Sequence, residues 1–250
     1  MSNLINLGLT LPAGPAYAQL FNFLDPVSSL PHVDDIRGAW ILGGDDALSR
    51  KNRAGGTALS KIGTPTLAAN GATCTLSGCY NSNLLEALDF TAIAIFKPIV
   101  AATSGGAMLY SNYLNPVGIT SGASFYMNGT TEVKAIIPIT GSTASATVNL
   151  GTPVTTDWYM ACVRADTTDI AVTVRHNATT IDSGDVATGS RVVAGANMRI
   201  GGHYGSSGIS EPIEILALIE WGVKLNNTDR AAAMATLATF FADNVGITTL

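Results

Sequence analysis

From about residue 90 to residue 223, apolar and polar positions alternate with a period of two in short runs, separated by Gly, Asn, Asp and Thr. Consecutive antiparallel strands joined by turns read this way. FTAIAIFK puts Phe90, Ala92, Ala94 and Phe96 on one face and Thr91, Ile93, Ile95 and Lys97 on the other, and Pro98 ends regular pairing. Further strands are predicted at Ala107–Ser111, Ser124–Asn128, Glu132–Thr140 and Ala144–Leu150. DWYMACVR and TDIAVTVRHN, joined at Ala165–Thr168, form the clearest hairpin. In its second strand Ile170, Val172 and Val174 should meet a core and the intervening positions water.

The last strand, Ile213 to Val223, is apolar at every odd position, while Leu216 and Leu218 lie between Glu214 and Glu220 on the other face. Something must cover the middle of that second face. The following segment supplies a candidate: Asn227 or Thr228 can cap a helix, Asp229 complements its dipole, and Met234, Leu237, Ala238, Phe241 and Val245 follow helical spacing up to Gly246. Residues 1–36 have a different character. AYAQLFNFL, broken by Asp25-Pro26 and Pro31, is too apolar for a disordered tail, so it either packs on the domain or docks on another chain through Tyr17, Leu20, Phe21, Phe23 and Leu24. The chain therefore divides into an N-terminal arm, 1–36, and an all-β sandwich with a terminal helix, 37–250.

Composition narrows the function. Charged residues make up 12% of the chain, about half the usual share, so hydroxyls and amides solvate the surface. A net charge of −5 offers no footprint for nucleic acid, whose binding needs clustered Lys and Arg. No apolar run reaches the roughly 18 residues of a membrane span, and MSNLINLGLTLPAG has neither the basic nor the apolar region of a secretory signal. Cys74, Cys79 and Cys162 fit no zinc or redox spacing; a Cys74–Cys79 bridge would need an oxidising setting.

Candidate chemistry is sparse. His32, His176 and His203 are the available histidines, and no G-x-S-x-G, H-E-x-x-H or phosphate-cradling motif accompanies them. Glu214 and Glu220, taken as sharing a strand face, would lie roughly 20 Å apart. A glycosidase pair needs about 5 to 9.5 Å, which argues against hydrolysis. Asp45-Asp46 and Asp182 with Asp185 carry oxygens suited to calcium, but their spacing matches no EF-hand-like loop, and no cofactor is indicated. The rings and amides of YSNY (Tyr110, Asn112, Tyr113) and FYMN (Tyr126, Asn128) suit a sugar, as does the exposed pair His203 and Tyr204 in the loop GGHYGSSG; cross-strand packing is the alternative for each.

From Gly38 onward the order of these features resembles the concanavalin A-like, laminin-G-like jelly roll. The matching segments are GAWILGGDD, FTAIAIF, the TDWYMACVR/IAVTVRHN hairpin, MRIGG, IEILALIEWGV and the helix opening NNTDRAAAMATL. The variety it is most similar to occurs in bacteriophage tail fibres, baseplates and capsid decorations. Catalytic members of the family carry a glutamate-aspartate-glutamate motif, and EILALIE has no central acid. The resemblance implies a structural virion protein of tail or capsid, made in the host cytoplasm, assembling as a homo-oligomer with other virion proteins and presenting loops to a host surface glycan. The competing readings are a polysaccharide-degrading glycanase or depolymerase and a soluble bacterial lectin.

Overall fold

A computed structural model of the chain describes residues 25–100, 105–114, 122–205 and 208–250. The docking residues Tyr17, Leu20, Phe21, Phe23 and Leu24 lie outside the described residues. In chain order the elements are β1 (Ile36–Ile41), α1 (Asp46–Arg50), β2 (Ser60–Ile62), β3 (Thr66–Leu67), β4 (Ala72–Cys74), β5 (Cys79–Leu85), β6 (Phe90–Lys97), β7 (Gly106–Ser111) and β8 (Ser124–Asn128). They continue as β9 (Glu132–Ile139), β10 (Ser142–Asn149), β11 (Tyr159–Ala165), β12 (Asp169–His176), β13 (Thr179–Asp182), β14 (Val186–Ala187), β15 (Asn197–Ile200), β16 (Ile213–Trp221) and α2 (Asn227–Val245).

Two antiparallel sheets stack as a jelly-roll sandwich. The first runs β13-β12-β11-β6-β16-β4-β3, with β1 also on β16 and β14 on β12; the second runs β10-β9-β8-β7-β15-β5-β2. One core fills the space between them. Phe90, Ala92, Ala94 and Phe96 of β6 and Ile170, Val172 and Val174 of β12 meet Phe125, Met127, Val133, Ala135 and Ile137 of the opposite sheet. A second core lies on the outer face of the first sheet, where Ile93, Ile95, Met160, Cys162, Ile219 and Trp221 are covered by Met234, Leu237 and Phe241 of α2. The helix thus covers the last strand as its pattern requires. Its cap is Asn226, one residue earlier than expected, whose side chain accepts from Asp229 N–H at 2.9 Å. Gly246 closes it in the left-handed region at φ 75°.

The hairpin pairs as expected, Cys162 opposite Thr173. The middle of its second face, however, does not meet water. Ala171 and Thr173 are fully buried, and Thr173 Oγ1 donates to Asp182 and accepts from Arg230 at the start of α2. Residues 25–36, expected in the arm, pack onto the sandwich: Val27 and Leu30 join the helix-side core, and Trp221 Nε1 donates to Pro31 O at 2.9 Å. All three cysteines are free and buried, and burial pushes the Cys162 thiol up to about 12.

β-Bulges correct the expected placement of Glu214 and Glu220. In β16, Ile215 faces Phe96 but Ala217 faces Ile95, so Leu216 is an extra residue and the strand changes face there. Glu214 stays on the helix side, paired with Lys97 at 3.0 Å, whereas Glu220 turns into the core between the sheets. A second bulge lies in β7, where Met108 faces Tyr126 and Tyr110 faces Phe125, leaving Leu109 extra. It turns Tyr110 inward, and the Tyr110 hydroxyl donates to Glu220. A third, at Arg37, brings that guanidinium to within 3.2 Å of Glu220. Gly38 stands opposite Glu220 because a Cβ there would lie 2.1 Å from the Trp40 ring. Burial lifts the Glu220 carboxyl to about 7, against the opposing pull of Arg37 and Tyr110.

Candidate functional site

The outer face of the second sheet carries a pocket of about 300 Å³. Its base follows from strand alternation. In β8, Phe125 and Met127 point into the core, so Ser124, Tyr126 and Asn128 point out; in β9 the same rule turns Ile136 and Pro138 outward, and in β10 Thr143. Met108 of β7 lies on this face because it precedes the bulge. Tyr113, Gly122, His203, Gly208, Ile209 and Gly105 line the remaining sides.

The walls are held by the loops after β7 and β15. Tyr204 N–H donates to Tyr113 O at 3.0 Å, and the Tyr113 and His203 rings lie 6.0 Å apart. Buried Asn112 anchors the wall: Oδ1 accepts from Ala123 N–H at 2.7 Å, and Nδ2 donates to Glu86 at 3.0 Å and to Ala196 O at 3.1 Å. Gly122 passes so close to Asn112 that a Cβ would sit 2.4 Å from its carbonyl oxygen, and its φ of +93° suits glycine. Glu86 is itself buried and paired with Arg191.

His203 is 1% exposed, with both ring nitrogens in use: Nε2 donates to Ile209 O at 3.1 Å and Nδ1 accepts from Gly205 N–H at 3.0 Å. Burial lowers its pKa, so the ring is neutral and held in one tautomer. A ring with neither nitrogen free positions the loop; it is not a poised proton acceptor. Tyr126 is 5% exposed, and burial followed by the charge of Glu132 raises its phenol. Asn128 Nδ2 donates to Glu132 at 2.6 Å, its one side-chain hydrogen bond among the described residues. The lining thus combines the apolar side chains of Met108, Ile136, Pro138 and Ile209 with two phenols, an amide and the hydroxyls of Ser124 and Thr143. Such a surface binds by stacking and neutral hydrogen bonds.

Of the residues singled out from sequence, Tyr113, Tyr126, Asn128 and His203 come together here. Tyr110 and Asn112 do not: both are fully buried, the first on Glu220 and the second as the anchor just described. Tyr204 lies outside the lining, its ring covered by the Arg199 guanidinium at 3.5 Å. Sequence reasoning missed Met108, Ile136, Pro138 and Ile209. A signal for two of them was present, since Ile136 and Pro138 put apolar side chains on the strand face that Glu132 and Lys134 share.

The other candidates have structural partners. Asp45 caps α1 by accepting from Leu48 N–H, Asp46 pairs with Arg50 and Lys61, Asp182 with Arg230, and Asp185 with Arg164. A second cleft, about 350 Å³, is lined by Leu150, Val154, Tyr159, His176, Asn177 and Ile181. There the His176 ring stacks on Tyr159 at 3.9 Å and its Nε2 bonds Asp157 at 3.0 Å.

No protein-family model matches the sequence, and no curated protein matches it significantly. Solved structures do match. The botulinum neurotoxin serotype D binding domain aligns with a TM-score of 0.59 at 11% identity, over 86% of this chain and 53% of that one. The Trypanosoma rangeli sialidase in complex with sialic acid aligns with 0.57 at 11% identity, over 82% of this chain and 33% of that one. The Ruminococcus gnavus IT-sialidase CBM40 bound to α2,3-sialyllactose aligns with 0.50 at 13% identity, over 71% of this chain and 97% of that one. The chain thus spans about a third of the sialidase and about half of the toxin binding domain. At these identities the likeness establishes the β-sandwich fold.

Proposed function

We propose that this chain is a carbohydrate-binding β-sandwich serving as a structural component of a bacteriophage virion, with the pocket beside Tyr126 as its glycan site. The observation that carries the binding half is the pocket itself: apolar side chains, two tyrosines and hydroxyl and amide groups, in a volume of about 300 Å³ at the small end of ligand sites. Two of the structural neighbours are described with sialic acid or a sialylated sugar bound, which supports a carbohydrate as the ligand class. The virion half rests on the order of segments from Gly38 to the terminal helix, which resembles sandwiches of phage tails and capsids. Homo-oligomerisation and contacts with other virion proteins belong to that half.

Binding without hydrolysis is the reading favoured by the carboxylates. Glu214 and Glu220 lie on opposite faces of β16, one held by Lys97 and the other by Arg37 and Tyr110, so they do not flank a common bond. A glycan array probed with the wild-type chain and with Thr143→Trp, which fills the pocket from an exposed position, tests the site. Retained binding by the variant refutes the site, and release of reducing ends from any bound polysaccharide refutes the non-catalytic role. Antibody labelling of purified virions tests the location; particles without label exclude the structural assignment.

A further inference from the structure

Resting on that reading of the pocket, we propose that its ligand is a neutral sugar and that sugars bearing a carboxylate, sialic and uronic acids alike, are excluded. A carboxylate that loses water on entering a half-enclosed site is compensated best by a cation, above all a bidentate Arg. No Lys or Arg lines this pocket. The chain has 13 Lys and Arg in all, and every one lies among the described residues; 1–24, 101–104, 115–121 and 206–207 contain none.

The nearest charges are also accounted for. Arg199 is turned away, donating to His203 O at 2.8 Å and covering Tyr204. His203 has its two nitrogens committed within the loop and carries no charge to offer. Lys134 stands beside Tyr126 in the sheet register, outside the lining, on the same strand face as Glu132. Glu132 lies against Asn128 at 2.6 Å, which sets an anion beside the pocket wall, while the one cation joined to that wall, Arg199, is spent on His203 O and the Tyr204 ring. An acidic sugar would lose water against apolar side chains and meet a like charge beside the wall, with no fixed counter-charge to compensate.

The test is a set of NMR titrations of the ¹⁵N-labelled full-length chain at pH 7. The probes are methyl glycosides in matched pairs that differ in CH₂OH against COO⁻: glucose with glucuronic acid and galactose with galacturonic acid. Methyl glycosides of mannose, N-acetylglucosamine and N-acetylneuraminic acid complete the set. Thr143→Trp serves as the pocket-blocked control, and Tyr126→Ala as a second variant. We expect saturable shifts at Tyr126, Asn128 and Ile136 with at least one neutral glycoside, lost in Thr143→Trp, and at least about tenfold weaker binding of its acidic counterpart, a gap of about 1.4 kcal/mol. An acidic sugar that binds equally well or better in a Thr143→Trp-sensitive way overturns the neutral-ligand inference and leaves the pocket standing. Loss of that binding in Lys134→Gln would identify the cation responsible. Absence of pocket shifts with every probe overturns the sugar site and this inference with it.

Discussion

Replacing Glu220 with Gln should abolish a pH dependence built into the core. The carboxyl is 1% exposed, between the sheets, where Arg37 of β1 and Tyr110 of β7 contact it and Glu86, after β5, adds a repulsive charge. Desolvation dominates and raises its folded-state pKa from 4.5 to about 7. The folded state therefore holds this proton over a range where the unfolded chain has released it. Stability from this group is fully present below about pH 4.5 and is lost as pH rises through about 7. At about 1.4 kcal/mol per pH unit, the fall between pH 5 and pH 8 is roughly 2–3 kcal/mol. For a chain of this size that is about 5–10 °C in Tm.

Glutamine keeps the acceptor for Tyr110 and carries no titrating proton. The assay is urea unfolding of wild type and Glu220→Gln at half-unit intervals from pH 4.5 to 8. The difference between them is the informative quantity, because His203, with its lowered pKa, acts in the opposite direction and is common to both. Wild type should lose roughly 2–3 kcal/mol relative to the variant across the window. A flat difference would show that Glu220 is ionised throughout by its pairing with Arg37, and would refute the claim that desolvation prevails.

Glu86→Ala should cost about 3–5 kcal/mol in urea unfolding, because it removes the counter-charge of the buried Arg191 guanidinium, one of the two acceptors of Asn112 Nδ2 and the acceptor of Ala194 N–H. The same variant should disturb the NMR resonances of Tyr113 and Gly122, which flank the anchor. Phe241→Ala, at a fully buried position of α2 against the outer face of the first sheet, should cost about 3–5 kcal/mol in the same assay. Asn226→Ala removes the cap of α2 and should lower stability by about 1 kcal/mol, or about 2–4 °C in thermal unfolding, while glycan-array binding stays intact.

The strands that alternate cleanly were legible from sequence, and so was the need for a helix over β16, because apolar residues on both faces of one strand demand two covers. β8 alternates without a break, so Tyr126 and Asn128 share its outward face, which the pattern of that strand alone makes legible. The short strands β2, β3 and β4 carry too few residues to show a period and were not anticipated. Tyr110 and Glu220 failed for another reason. Leu109 and Leu216, the extra residues of their bulges, sit in runs that are apolar in either register, MLY and ILAL, so composition carries no mark of the slip.

The two slips are linked through their consequence. Without the β7 bulge, Glu220 would be buried with no hydroxyl to donate to it; without the β16 bulge, the Tyr110 hydroxyl would enter the core with no carboxylate acceptor. Either alone removes one partner from a buried polar group, leaving Glu220 with Arg37 alone or Tyr110 without its carboxyl acceptor, at a cost of about 1–3 kcal/mol, and together they complete each other. The β7 slip also shapes the pocket. By turning Tyr110 inward, it keeps that phenol off the outer face, where Met108, ahead of the bulge, lines the pocket.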